Sequence, residues 1–335
     1  MSSPPPQERQ TTEDDWTAWA CERLLEQRIQ GHSWSYRRGA GPAVESSVMA
    51  CLALNAAGRD PDGRMLREVA DWLTTFQEAD GSVAARPELL RPAWATSWAI
   101  LAWSLADEIT EGPPLTEPIR RAVSWLLNVR GTTLGGQQDV VGHNFNLVGW
   151  PWIEGTHSWV EPTVMAVWAL KRVGMENHDR VAEALKLILD RALPSGGWNY
   201  GNTKVFGTEL RPQPGPTGQT LALLAGIDPE RLPGDTSTKI ILPALTYLRT
   251  SLPKTRAACT LCWGLLGLVA WGQTDQATLS TSWLSESAED LRRRPASADP
   301  WRLAHLIAAQ FAQTTLELLG IVPTMPPSPH RELPR

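Results

Sequence analysis

Residues 44–54 read VESSVMACLAL, and residues 160–170 read VEPTVMAVWAL. A shared Val-Glu-x-x-Val-Met-Ala-x-x-Ala-Leu phrase is too long for coincidence and marks an internal repeat. Repeats on this scale describe one supersecondary unit that cannot bury its own apolar face and stacks on copies of itself. Both copies are apolar all round, which in a soluble chain means a buried helix. Five further segments share that character with 45–57: 96–106, 162–173, 217–226, 257–271 and 300–318. The last is interrupted by Arg302, His305, Gln310, Gln313 and Glu317.

Between them lie amphipathic stretches at 14–29, 64–76, 116–130, 178–192, 238–250 and 278–292. In 64–76, Met65, Leu66, Val69, Trp72, Leu73 and Phe76 share one face, while Arg64, Arg67, Glu68 and Asp71 point away. Six amphipathic and six buried helices in alternation predict an all-α (α/α)6 toroid, outer helices around inner ones. The toroid is expected to be one domain over 13–322, with Pro-rich tails at 1–12 and 323–335. Outer helices are predicted to stop at Gly-rich turns, and inner helices to start at Pro or at capping Ser, Thr and Glu. Gly31-His32-Ser33-Trp34-Ser35-Tyr36 and Gly196-Gly197-Trp198-Asn199-Tyr200 echo each other, and 77–82 has the same layout without its Trp. The connection 131–158 is much longer than usual and too aromatic for a solvated loop, which marks it as functional.

Composition narrows the function. The 335 residues carry a net charge of −5, with no basic surplus for nucleic acid. Four scattered cysteines make no disulfide framework and imply a reducing compartment. The N-terminus has no signal-peptide core, and no segment spans a bilayer. The expected location is cytoplasmic, or peripheral to a membrane. Tryptophan is the anomaly, with 17 against 4 Phe and 3 Tyr.

Taken together, the alternating helices and the Gln-x-x-x-Gly-x-Trp-like turn at 27–34 resemble the terpenoid cyclase and protein prenyltransferase superfamily, over about 14–320. The resemblance implies a site at the mouth where the inner helices begin. Class II cyclases open an inner helix with an Asp-rich acid motif. On that alignment Trp159-Val160-Glu161-Pro162-Thr163-Val164 places Glu161 at the proton donor. Trp159 and Pro162 replace two of the motif's acids. Burial among tryptophans would keep Glu161 protonated. Glu154 and His157, close in sequence, would relay or remove protons. Against this, Glu45 holds the same repeat position, and an acid beside Pro at a helix start is also simply favourable with the helix dipole.

Cyclases line their cavities with aromatics because ring faces stabilise cations. Trp94, Trp98, Trp150, Trp152 and Trp159 are the candidate lining, with Thr163, Tyr200 and Gln219 as further substrate contacts. The ligand expected is a hydrophobic isoprenoid. Arg37, Arg38, Lys204 and Arg211 are candidates to meet a diphosphate, which would bring Mg2+; otherwise no cofactor is expected. Zinc prenyltransferases in the same superfamily use an Asp-x-Cys and a His. Cys259, Cys262 and His305 are weak counterparts, with Ala257 where the Asp belongs, and the bland reading of both cysteines is packing. Three alternatives to a class II-like cyclase remain: a non-catalytic toroid binding an isoprenoid or a partner, a zinc prenyltransferase-like protein, and a sugar-active toroid pairing Glu45 with Glu161. A single barrel also leaves its mouth open, so a homodimer or a partner subunit covering it is expected.

Overall fold

The computed structural model describes residues 14–89, 94–133, 142–273 and 281–324. The Pro-rich tails lie outside the described residues, apart from 323–324. So do 134–141 of the long connection.

The outer helices are α1 (Asp14–Glu26), α3 (Arg64–Thr74), α5 (Thr116–Asn128), α7 (Asp179–Asp190), α9 (Leu242–Ser251) and α11 (Thr281–Arg293). The inner helices are α2 (Val44–Ala56), α4 (Ala95–Ile109), α6 (Val160–Arg172), α8 (Pro214–Ala225), α10 (Ala258–Ala270) and α12 (Pro300–Gln310), with the short α13 (Ala312–Leu318) after them. Each inner helix packs on the next, and α12 packs back on α2 and α1, so the ring closes. The outcome is an all-α toroid. The predicted inner run 300–318 divides at Phe311, where the Thr315 hydroxyl instead reaches the Ala308 carbonyl at 3.0 Å.

The periodicity dictates the layers. In α3 the buried positions are Leu66, Val69, Ala70 and Leu73, one stripe at helical spacing, facing the inner ring. In α2 and α6 almost every residue is buried, because neighbours press on all sides. The tightest crossing, α8 on α10, depends on glycine. A Cβ on Gly218 would lie 2.1 Å from the Trp263 carbonyl oxygen, and one on Gly267 would lie 2.6 Å from Gly218 Cα. Gly218 and Gly267 therefore let two backbones touch, while Gly264 makes room for the Leu252 side chain, where a Cβ would lie 2.4 Å from its Cδ2.

The turns between layers share one hydrogen-bond scheme. The backbone N–H of Trp34, Val83, Trp150 and Trp198 donates to the hydroxyls of Ser47, Thr96, Thr163 and Thr217, each at 2.9 Å. The indoles of Trp34, Trp150 and Trp198 donate to outer-helix carbonyls of Leu24, Leu126 and Ile188. Two residues after Val83, Trp150 and Trp198, a carbonyl accepts the N–H at the start of the preceding inner helix. Ala85 serves Val44 at 3.1 Å, Trp152 serves Trp94 at 3.3 Å, and Tyr200 serves Val160 at 3.0 Å. These three turns thus fasten their own inner helix through a hydroxyl and the preceding one through a carbonyl.

This scheme overturns the expectation of side-chain caps. None of the six inner helices has a side-chain N-cap hydrogen bond. The hydroxyls of Ser47, Thr96, Thr163 and Thr217 face the turns, and at the starts of α2, α4 and α6 the N–H groups of Val44, Trp94 and Val160 go to backbone carbonyls.

Candidate active site

The inner helices point their N-termini at one mouth, and a cavity of ≈ 150 Å³ lies there. Its walls come from first turns: Glu161 on α6, Pro214 and Pro216 on α8, Cys259 and Thr260 on α10, and Trp301 on α12, with Trp263, Gln219 and Tyr200 completing it. Counting back two residues from each turn-bound hydroxyl gives Glu45, Trp94, Glu161 and Gly215 on four successive inner helices. The two glutamates are therefore equivalent positions that flank α4, and α4 carries Trp94 and Trp98 between them.

Their environments differ. The Tyr36 hydroxyl donates to Glu45 Oε2 at 2.7 Å. The indole N–H groups of Trp94 and Trp98 also approach Glu45 and favour its ionised form. Those two N–H groups lack well-formed hydrogen bonds; we read them as electrostatic rather than bonded partners of Glu45. Burial raises the Glu45 carboxyl and the three donors oppose that. Among the described residues Glu161 has no such donor. Burial first, and then the charge of Glu45, push it up to about 8. Each glutamate is half-buried by area. Glu161 lines the cavity while Glu45 does not, and burial in the surrounding protein is the largest cause of the shift in both. Burial raises both carboxyls, but the charge of Glu45 raises Glu161 further while Tyr36, Trp94 and Trp98 pull Glu45 back toward its ionised form, so environment alone makes the two equivalent positions unequal. Burial and the Glu45 charge likewise raise the Tyr36 phenol, so it stays a donor.

Aromatic groups continue inward. Trp263 has Trp98 at 6.4 Å, Trp168 at 6.1 Å and His305 at 6.2 Å between ring centroids. Tyr36 meets Trp301 edge-on at 5.3 Å. His305 is fully buried, with Nδ1 2.7 Å from the Trp301 carbonyl and Nε2 unpartnered, and burial lowers it to about 4.

The sequence candidates scatter over several places. Glu161, Tyr200 and Gln219 share the cavity, Gln219 also donating to Met165 Sδ at 3.1 Å. Trp98 lies behind it. Trp159 lines an adjoining hollow of ≈ 330 Å³ with Tyr200, Arg211 and Gln213. Thr163 is fully buried and occupied by the Trp150 turn. Trp150 is that turn's anchor, with the Arg180 guanidinium 4.2 Å above its ring. Trp94 and Trp152 pack edge-on at 5.0 Å beside a cleft of only ≈ 10 Å³, whose rim holds Glu154. His157 is exposed against Trp159 in a third hollow. Glu154 and His157 therefore do not meet Glu161. Arg37 and Arg38 lie outside the cavity, Arg38 donating its N–H to Asp299. Among the described residues no group of three His, Cys, Asp or Glu side chains could hold a metal, so Cys259, Cys262 and His305 do not form a zinc site.

Tyr36, Trp263 and Trp301 escaped the sequence reading as site residues. The turn register held the signal: Tyr36, Trp152 and Tyr200 each stand two residues after a turn Trp.

No protein-family model matches the sequence, and no curated protein matches it. Solved structures do. The type II terpene cyclase MstE from Scytonema superposes with a TM-score of 0.60 at 14% identity, covering 92% of this chain and 100% of the cyclase. Its R337A variant in complex with the substrate geranylgeranyl dihydroxybenzoate gives 0.58 at 13%, over 91% and 98%. A family 76 glycoside hydrolase from a bovine Bacteroides thetaiotaomicron strain gives 0.56 at 14%, over 92% of this chain and 78% of the hydrolase. The chain has the toroid fold of type II terpene cyclases, a fold these structures show in more than one chemistry.

Proposed function

We propose that this protein is a class II-like isoprenoid cyclase whose reaction starts by proton transfer from Glu161. One arrangement carries the reading: Glu161 lines a cavity with Trp263 and Trp301 at the inner-helix mouth, where burial and the neighbouring Glu45 push its carboxyl up to about 8. The Glu161 proton goes to one carbon of an alkene, and the π pair becomes the new C–H bond. A tertiary cation remains beside the indoles of Trp263 and Trp301, and Glu161 is left as carboxylate. A neighbouring alkene attacks the cation to close a ring, and a final proton loss to water ends the sequence. Glu161 regains its proton from solvent at the mouth. An acid near 8 is a weak donor, so stabilisation of the cation by ring faces must supply much of the barrier lowering.

The cavity at Glu161 is smaller than a typical ligand pocket of ~300–1,000 Å³. It adjoins the ≈ 330 Å³ hollow through Tyr200 and Gln213, which line both. An isoprenoid chain is accommodated by the two together, with Tyr200 turned aside.

A second reading has its own support. Two neighbouring carboxyl groups in unequal environments are also glycosidase equipment, and a glycoside hydrolase shares the fold. The walls around Glu161 mix prolines and indoles with Tyr200, Gln213, Gln219 and Thr260, so the product formed decides between the two readings.

The test is mass spectrometry of organic extracts after incubation with squalene, oxidosqualene, geranylgeranyl diphosphate and geranylgeranyl dihydroxybenzoate, beside Glu161→Gln. A cyclic product lost in the variant is the expected result. Ligand bound without turnover would replace the cyclase by a binding protein, and reducing sugar released from oligosaccharides would replace it by the second reading.

A further inference from the structure

The long connection and the turn after α7 enclose a hollow that this chemistry does not use. It measures ≈ 220 Å³ and is lined by His143, Phe145, His157, Ser158, Arg191 and Asn202 among others. Arg191 is a charged side chain only 5% exposed. Its Nη1 donates to the Asn144 carbonyl at 3.3 Å and pairs with Asp190, which also accepts the Asn144 N–H at 3.0 Å. Among the described residues, Nε and Nη2 of Arg191 make no hydrogen bond, and neither is sealed from open space.

The remaining lining is also rich in donors. Ser158 Oγ accepts the Gly149 N–H at 2.9 Å, which leaves its own proton to give. His157 is exposed and braced by Trp159, with ring centroids 4.5 Å apart. His143 closes one side, its Nδ1 3.4 Å from Thr203 Oγ1. No carboxylate is among the described lining residues. Asp190 neutralises Arg191 from behind, so the hollow offers directed N–H and O–H groups more than net charge. That suits an oxyanion, whose oxygens accept several donors at once.

Position adds a second argument. Gly201 and Asn202 line both this hollow and the ≈ 330 Å³ one beside it, which in turn shares Tyr200 and Gln213 with the Glu161 cavity. One trough runs from the acid to Arg191.

We propose that the Arg191–His157–Ser158 hollow binds a phosphate or carboxylate group, the anionic head of the amphiphile whose apolar chain reaches Glu161. The head-group assignment rests on the cyclase reading; the oxyanion site itself does not. The full-length chain is titrated by calorimetry with inorganic pyrophosphate and, separately, with benzoate, and the tighter of the two identifies the head as phosphate or carboxylate. Arg191→Lys and His157→Ala are each expected to weaken that ligand about tenfold, the loss of one charge-assisted hydrogen bond. His157 is exposed, so its variant decides the matter if Arg191→Lys fails to melt cooperatively. Farnesyl carrying the preferred head is expected to bind more tightly than farnesol, and the variants to erase the difference. No binding of either anion, or binding unchanged in the folded variants, overturns the site. Anion binding with no preference for the headed farnesyl overturns the head-group assignment. Anion binding without any cyclic product counts against the cyclase alone, and a Glu161-dependent product without anion binding counts against this site alone.

Discussion

At the residue scale the site rests on how two equivalent glutamates are made unequal. Glu161→Gln keeps the shape and removes the proton, so any Glu161-dependent turnover is expected to fall about a hundredfold or more, read from product formation per enzyme. In the wild type, turnover falls as pH rises through about 8, where Glu161 loses its proton. Stability has the same sign. A carboxyl whose folded pKa is raised binds more protons folded than unfolded between its ordinary value of 4.5 and about 8, so stability drops as pH climbs through that window. Urea midpoints measured from pH 4.5 to 8 should fall in the wild type and stay flatter in Glu161→Gln. Tyr36→Phe acts through the partner. Without that 2.7 Å donor Glu45 ionises less readily, Glu161 feels less negative charge, and the alkaline limb of the rate profile moves to lower pH. A purely structural role for Tyr36 would lower the rate at every pH without moving the limb. The sequence showed the two glutamates as copies of one position. It could not show that the Tyr36 hydroxyl bonds Glu45 and the Trp94 and Trp98 rings approach it while, among the described residues, no side chain donates to Glu161, because packing between neighbouring helices and turns sets those contacts.

The element scale explains what could be read in advance and what could not. Helical periodicity exposed both layers, since burial on one face or on all faces leaves its mark on residue order. It could not expose the turn scheme, in which Trp150 anchors its turn from deep inside the long connection, 24 residues after its acceptor Leu126. Only Trp34 and Trp198, 10 residues after theirs, announced themselves as a pattern. Glu154 and His157 are close to Glu161 in sequence, yet the chain between them turns back through Trp159, and proximity along the chain did not become proximity in space. Two substitutions probe these elements. Thr217→Val leaves the buried Trp198 N–H without its 2.9 Å acceptor and should cost about 1–3 kcal/mol. Gly218→Ala drives a methyl into the Trp263 carbonyl and should cost about 1–3 kcal/mol by separating α8 from α10. Both are read from denaturant midpoints, and Gly218→Ala should also disturb Trp263 fluorescence because that ring lines the cavity.

At the scale of the whole molecule the question is whether the repeats add up or lock together. An open stack of hairpins loses one end unit at modest cost, since each unit touches only its neighbours. This ring has no end unit. α12 packs against α10 on one side and α2 on the other, while α1 leans on α12 from outside, so the last inner helix fastens to the first. The Gln27 amide, which donates at 3.0 Å to the Ala298 carbonyl, ties the N-terminal turn to the same seam. Removing residues 295–335 would strip α12 and α13 and expose the apolar flanks of both α2 and α10, each buried along nearly its whole length. It would also take Trp301 from the cavity wall. The lost burial is therefore shared by both ends of the chain rather than confined to one. The truncated chain is expected to lose helicity far beyond the deleted residues, to unfold in urea with a lowered and broadened transition, and to aggregate through the uncovered faces. Far-UV circular dichroism and size-exclusion chromatography check this. A truncated protein that keeps the remaining helices and a sharp transition would mean that the units stand alone, and that closure serves to shape the mouth around Glu45 and Glu161 rather than to hold the fold.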